Sequence, residues 1–254
     1  MTLPTITNKQ QSILTLLYRF RFLNRTQIQT ILKHKHHKRI IDWLKDLNEK
    51  DYIGKIYSNK LGENTKPTIY YIGQNGIKYL RALEYPTEQI KKLYREKERS
   101  ENFIKKHLLI ADICLDLQSV STDEIRYAAL TVSDFLNPGS NYNFLSELNP
   151  DFALVKDSED MKKYYLLEIL EPTLPLYSVK KRIKNYFDFY FSNSWEDNTG
   201  EEFPKVILIC ETLPMVMGVR KIVKGLVCDY DEIELIFDVI LKQEISSNSI
   251  FAIL

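Results

Sequence analysis

Glycine is scarce in this 254-residue chain, at 8 residues, and proline supplies only 9, so there is little material for flexible linkers. No Gly-rich loop capable of cradling phosphates is present. Neither a G-x-S-x-G nucleophile elbow nor an H-E-x-x-H zinc pair occurs. Every apolar run falls short of the roughly 18 residues needed to cross a bilayer. The opening residues, MTLPTITNKQ, lack the basic-then-apolar order of a secretory signal, and a cytoplasmic protein with no membrane partner is expected. Cysteine is rarer still. Cys114, Cys210 and Cys228 are odd in number and widely spaced, and no C-x-x-C pair supports a zinc or redox site. They are expected to be buried free thiols in a reducing compartment.

What is abundant is charge, and it is unevenly placed. Residues 1–106 hold 22 Lys and Arg against 10 Asp and Glu, whereas residues 107–254 hold 13 against 24. An overall charge of +1 thus conceals a basic front and an acidic rear. The front suits a polyanionic partner.

The pattern of the front half predicts a helix over Asn8–Phe20, opened by a Thr7/Gln10 capping box. Ile13, Leu14, Leu17 and Phe20 repeat along one of its faces. After a break at Arg21-Phe22-Leu23, Asn24 and Gln27 form a second capping box for a helix carrying Ile28, Ile31 and Leu32. A third helix is predicted over His36–Lys50, with Ile40, Ile41, Leu44 and Leu47 inward. Tyr52–Tyr57 and Thr68–Ile72 read as strands around a polar hairpin, Ser58–Pro67. Gly73-Gln74-Asn75-Gly76 then leads into a fourth helix through Leu80 and Leu83. Three helices, a hairpin and a helix give the order of a winged helix-turn-helix, with the hairpin as wing.

That order makes the third helix the element for the major groove of double-stranded DNA. Lys35, His36, Lys38, Arg39 and Lys45 are its candidate DNA contacts, with Arg39 able to fork onto guanine. Arg25 and Gln29 on the second helix, and Lys55, Lys60 and Lys66 along the wing, are expected to follow phosphates. The run His34-Lys35-His36-His37 superficially suggests a metal cluster. Successive helical side chains diverge, however, and no carboxylate or Cys stands beside them at ligand spacing, so a polar turn is expected and no metal or cofactor.

Glu84–Lys106 is almost purely charged, with Ile90, Leu93 and Phe103 as isolated apolar points. It predicts a solvated helical linker without the heptad seam of a coiled coil. His107–Leu117 is apolar on most sides and predicts a buried helix. Strands are expected at Ile125–Val132, Phe152–Val155, Tyr164–Ile169, Lys205–Cys210 and Ile233–Leu241, and helices at Val179–Phe191 and Val216–Leu226. The continuous apolar run Lys205–Cys210 reads as a strand buried on both faces. The fold class is therefore α+β: a winged helix-turn-helix domain over 1–84, a linker over 85–106, and an α/β domain with a mixed central sheet over 107–254.

Several segments carry a family resemblance. They are RFLNRTQIQTIL, RIIDWLKDLNEKDYIGKI and IYYIGQNGIKYL in the front half. In the rear half they are Asn149–Val155, Tyr165–Ile169 and the basic helix ending YFDFY. Together they resemble the replication-relaxation proteins of Gram-positive plasmids and integrative elements. The resemblance implies an accessory DNA-binding factor in replication or DNA processing of a mobile element, with replication or conjugation proteins as partners. A homodimer is expected by analogy with other winged helices. A transcriptional repressor of the same element is the neighbouring reading.

The rear half raises one catalytic alternative. Pro-Asp, a strand, then Glu-x-Lys resembles the restriction-endonuclease-like core, in which two carboxylates hold Mg²⁺ and a lysine helps activate water. Asp151 and Glu168 fit the carboxylates, but Leu170 stands where the lysine belongs. Lys180 or Lys181 on the following helix is the candidate substitute if the chain is a nicking nuclease. Otherwise Asp151 caps a turn, Glu168 pairs with Arg182, and the domain is a scaffold without cleavage. A relaxase would need His beside a nucleophilic Tyr. Tyr186 and Tyr190 have no such neighbour in sequence and are expected in the core.

Overall fold

The computed structural model describes residues 3–57, 67–137, 139–159, 161–228 and 236–245. They form two compact units: residues 1–119 with 136–139, and residues 120–135 with 140–254. The class is α+β, with a mixed five-stranded sheet in the second unit.

In the first unit, α1 (Asn8–Phe20) opens on the complete Thr7/Gln10 capping box. It buries Ile13, Leu14, Leu17 and Phe20. The chain reverses at Arg21, whose φ of 65° is unusual for a residue bearing a Cβ. Arg21 directs its guanidinium onto the buried Glu96 carboxylate. β1 (Leu23–Asn24) follows, and α2 (Arg25–Ile31) starts on the Asn24/Gln27 box, again with both reciprocal bonds. A turn with Lys33 at φ 49° leads to α3 (His37–Glu49). β2 (Ile53–Ile56) and β3 (Ile69–Ile72) pair antiparallel, with β1 on the far side of β3.

α4 (Gln74–Ala82) is seated closely on the corner between α3 and β2. Asn75 donates from its side chain to the Lys50 carbonyl and from its backbone to Asp51. A Cβ on Gly76 would lie 2.3 Å from the Tyr52 carbonyl oxygen, so only glycine allows this approach.

The segment expected as a solvated linker belongs to this unit. α5 (Thr87–Lys92) and a 3-10 turn (Leu93–Glu98) bury Ile90, Leu93 and Glu96. The spacing of these residues, three apart, brings each to one side of a helical path. α6 (Glu101–Val120) is held to α2 by buried Gln27, whose amide donates to the Leu108 carbonyl and to Asp112 at 2.7 Å. The division into units accordingly falls after Ser119 rather than at 106/107.

The second unit is built on the sheet order β4-β5-β6-β7-β8, with β4 (Ile125–Thr131), β5 (Phe152–Ser158), β6 (Lys162–Leu170), β7 (Lys205–Cys210) and β8 (Phe237–Leu241). The first three strands form an antiparallel meander, and β7 and β8 continue parallel to β6. Interior strands β6 and β7 are buried along nearly their whole length, whereas edge strand β4 is not, as burial on both faces requires. Short helices α7 (Val132–Phe135) and α8 (Leu145–Leu148) precede β5. α9 (Leu176–Phe191) and α11 (Leu213–Val227) make the two crossovers and pack on each other. α10 (Ser194–Thr199) follows α9, and α12 (Lys242–Ile245) follows β8. The expected strand beginning at Ile233 lies partly outside the described residues, and its described part is β8.

Two expectations about burial are corrected. Cys114 and Cys210 are buried, but Cys228 is exposed at the end of α11, where the apolar stripe of that helix has ended. Ile41 is 43% exposed, because the buried face of α3, set by Ile40, Leu44 and Leu47, is centred roughly 90° of helix rotation away from it.

Candidate nucleic-acid interface and the Asp151–Glu168 cluster

α3 separates its faces cleanly. Ile40, Leu44 and Leu47 are fully buried or nearly so, while Lys38, Arg39, Ile41, Asp42 and Lys45 are exposed. Lys35 and His36, in the turn before it, are exposed as well. The N-cap residue His36 makes no side-chain capping bond, so the first backbone donors of α3 are not satisfied in the way those of α1 and α2 are.

The turn is organised by its own side chains. Gln29 donates its amide to the His34 carbonyl at 3.1 Å, and the His34 N–H returns to the Gln29 carbonyl. The His34 ring meets Trp43 edge-on with centroids 5.0 Å apart, and its Nδ1 accepts from the His36 backbone N–H. The histidine run is therefore part of a hydrogen-bonded turn. Among the described residues no group of three or more His, Cys, Asp or Glu is placed to hold a metal ion.

Arg25 and Gln29 are partly exposed on α2, and Lys55 is exposed on β2. Lys60 and Lys66 lie outside the described residues. Of the expected contacts, then, those on α3, the preceding turn and β2 are available to solvent, and Gln29 uses one amide donor within the turn.

In the second unit, the register Phe152↔Leu167 continues with the Asp151 N–H donating to the Leu167 carbonyl at 3.1 Å. Asp151 therefore lies across from Glu168 on the neighbouring strand. Each has a carboxylate oxygen committed to protein donors. Asp151 Oδ2 accepts from the Ile169 N–H at 2.8 Å. Glu168, 6% exposed, accepts at Oε1 from Arg182 Nε at 2.9 Å, from Arg182 Nη2, and from the Tyr186 hydroxyl at 2.9 Å.

Arg182 spends its remaining donors on the turn before Asp151, giving Nη1 to the Leu148 carbonyl at 2.6 Å and Nη2 to the Asn149 carbonyl at 2.8 Å. Asn149 itself has a φ of 51°, a left-handed conformation that asparagine tolerates. Burial alone would lower the Arg182 pKa, but the charge of Glu168, with Tyr186, the Glu168 hydrogen bond and Asp151, carries it upward. Burial, then the Glu168 charge, raises the Tyr186 hydroxyl well above its usual range.

This donor set does not fit the Mg²⁺ that a nuclease core would require. The Arg182 guanidinium supplies a positive charge bonded to Glu168 and felt by Asp151. Leu170, where a catalytic lysine would stand, is 4% exposed and apolar. Lys180 is exposed on α9. Residues two positions apart on an α-helix differ by about 200°, so α9 turns Lys180 away when Arg182 faces Glu168. Tyr186 is fully buried, in keeping with a core role. A cavity of about 660 Å³ in this unit is lined by Lys162, Lys163, Tyr164, Glu201 and Lys205 among others. It lies at the opposite end of β6 from Glu168.

The described helices include none long and apolar enough to cross a membrane. A family model described as replication-relaxation matches residues 14–206. No curated protein matches the chain. Among solved structures, similarity is found to restriction endonuclease FokI, at 12% identity and a TM-score of 0.33 over 98% of this chain and 47% of that one. FokI bound to DNA is matched at 13% identity and a TM-score of 0.33, over 95% and 45% respectively. The chain spans about half the length of these structures.

Proposed function

The chain belongs to the replication-relaxation family, and from that premise we propose that its first unit binds double-stranded DNA as a winged helix-turn-helix. In this reading the protein is an accessory factor in replication or processing of plasmid or mobile-element DNA. The observation that carries it is the two-sided character of α3. One side is buried in the helical core, and the other presents Lys38, Arg39 and Lys45 to solvent directly after Lys35 and His36. A helix anchored in this way, followed by a hairpin with exposed Lys55, can enter a major groove while flanking cations neutralise phosphates.

The second unit serves in this reading as a docking or dimerisation scaffold that does not cleave DNA. Its support is the Arg182 guanidinium, which neutralises Glu168 and, with the Tyr186 hydroxyl, occupies its Oε1. Its excess of carboxylates also opposes phosphate binding and suits a protein partner from replication or conjugation, or a second copy of the chain.

The experiment is a fluorescence-anisotropy titration of the full chain against random duplexes and against a duplex selected from a random pool. Binding that weakens steeply with salt, with a selected sequence preferred at least tenfold, is the expected result. Absence of duplex binding at low salt overturns the proposal.

A further inference from the structure

Ile40 and Ile41 are neighbours with opposite surroundings: the first is fully buried and the second 43% exposed. At about 100° per residue, Ile41 shares its stripe of α3 with His37 one turn before, Lys38 three residues before and Lys45 four residues after. All three are exposed. Asp46 falls on the other flank with Arg39, and Asp42 stands beside the lysines, one turn after Lys38. Asp46 is already engaged there by the Gln10 amide at 2.6 Å and by Lys50 at 2.8 Å. Lys45 reaches Glu49 at only 3.9 Å, with both side chains largely exposed, a geometry that ties up little of its charge.

One exposed aliphatic side chain is ordinary on a protein surface. What sets Ile41 apart is its place at the centre of a cationic stripe, where charged side chains occupy the positions before and after it. If the stripe lies along a groove, its lysines meet the phosphates at the groove walls and the residue between them meets the floor. The floor of the major groove carries one apolar feature, the 5-methyl group of thymine.

We infer that Ile41 is a specificity-determining residue that packs against a thymine methyl, so that the protein requires a T·A pair at that step of its site. The inference rests on the reading of α3 as a duplex-binding helix. It assigns to a side chain without hydrogen-bonding groups a share of the sequence readout.

The test replaces thymine by deoxyuridine, one position at a time, in a duplex selected by the full-length protein. Deoxyuridine keeps every hydrogen-bonding group and removes only the methyl. For the unaltered protein, one position is expected to lose about four-fold in affinity, the worth of one buried methyl group. Ile41→Ala is expected to bind the thymine and deoxyuridine duplexes equally. Ile41→Val keeps a branched apolar end and retains part of the discrimination. Unchanged affinity at every deoxyuridine position, with the selected sequence still preferred, overturns the role of Ile41 and leaves DNA binding by α3 standing. The same holds if Ile41→Ala discriminates as fully as the unaltered protein. Failure to bind any duplex overturns both.

Discussion

Arg182 places two of its guanidinium nitrogens on a single oxygen of Glu168, with the Tyr186 hydroxyl donating to that same atom. The remaining guanidinium contacts hold the carbonyls of Leu148 and Asn149. One side chain from α9 therefore joins β6 to the turn that delivers Asp151. Removing either partner leaves a nearly buried charge without compensation, the costly case for an internal ion pair.

Arg182→Ala is accordingly expected to destabilise the second unit by about 3–5 kcal/mol, read from the midpoint of urea unfolding. Tyr186→Phe, which keeps the ring and loses one bond to a charged acceptor, should cost about 1.5–3 kcal/mol. The double change Glu168→Gln with Arg182→Met should be better tolerated than Arg182→Ala alone, because no buried charge is stranded. An Arg182→Ala protein as stable as the original would show that the pair contributes nothing to the fold.

The same geometry predicts the outcome of a cleavage assay. Supercoiled plasmid incubated with the protein and Mg²⁺ or Mn²⁺ should stay supercoiled, since Asp151 Oδ2 and Glu168 Oε1 are bound to protein donors and Leu170 stands where the lysine belongs. Asp151→Ala should change nothing in that assay. Nicking by the unaltered protein that disappears in Asp151→Ala would reinstate the nuclease reading with Asp151 as a metal ligand.

Both capping boxes are legible in the sequence, because Thr7/Gln10 and Asn24/Gln27 are local pairs whose bonds depend on spacing alone. The run Lys205–Cys210 is equally plain, since burial on both faces leaves no polar residue inside it. Less visible is anything decided by a distant partner. Segment 85–106 looks solvated because its charges outnumber its apolar residues, yet Arg21 lies 75 positions away in sequence and neutralises Glu96 within the unit. Ile41 looks inward beside Ile40, although the stripe set by Ile40, Leu44 and Leu47 leaves it at the margin. For Glu168, sequence offers both a metal ligand and an Arg182 partner. The choice needs α9 in place across the strand.

On the first unit, a prediction follows from phosphate neutralisation. Lys38→Ala, Lys45→Ala and Lys55→Ala should each weaken binding by similar factors on selected and random duplexes. Each should also reduce the slope of log K against log salt concentration by about 0.9 for every phosphate left without its lysine. The slope is measured by repeating the titration at a series of salt concentrations. Slopes unchanged in all three variants would move phosphate binding away from α3 and β2.

His107 supplies a pH test of the first unit. Its ring lies 5.9 Å from that of Phe22 and 4.3 Å from that of Phe103, and its Nδ1 donates to the Phe103 carbonyl at 2.8 Å. Burial, only partly offset by that bond, lowers its pKa from 6.5 to about 3, with Arg21, Lys106 and Arg99 adding repulsion. In the folded unit the imidazole is therefore neutral down to about pH 3, whereas in the unfolded chain it takes up a proton near pH 6.5. Between those values the unfolded state holds the extra proton, so this group's contribution is full above about pH 6.5 and is lost as pH falls toward 3. The loss is at most about 1.4 kcal/mol per pH unit for a single proton. Unfolding free energies of the unaltered protein and of His107→Leu, measured by urea titration from about pH 7.5 to about pH 4.5, should diverge below about pH 6.5, with the leucine variant losing less. Glu96, whose own pKa is raised by burial, titrates in both proteins and drops out of the difference. Parallel pH profiles would mean that His107 charges freely in the folded state, and that water reaches the ring between Phe22 and Phe103.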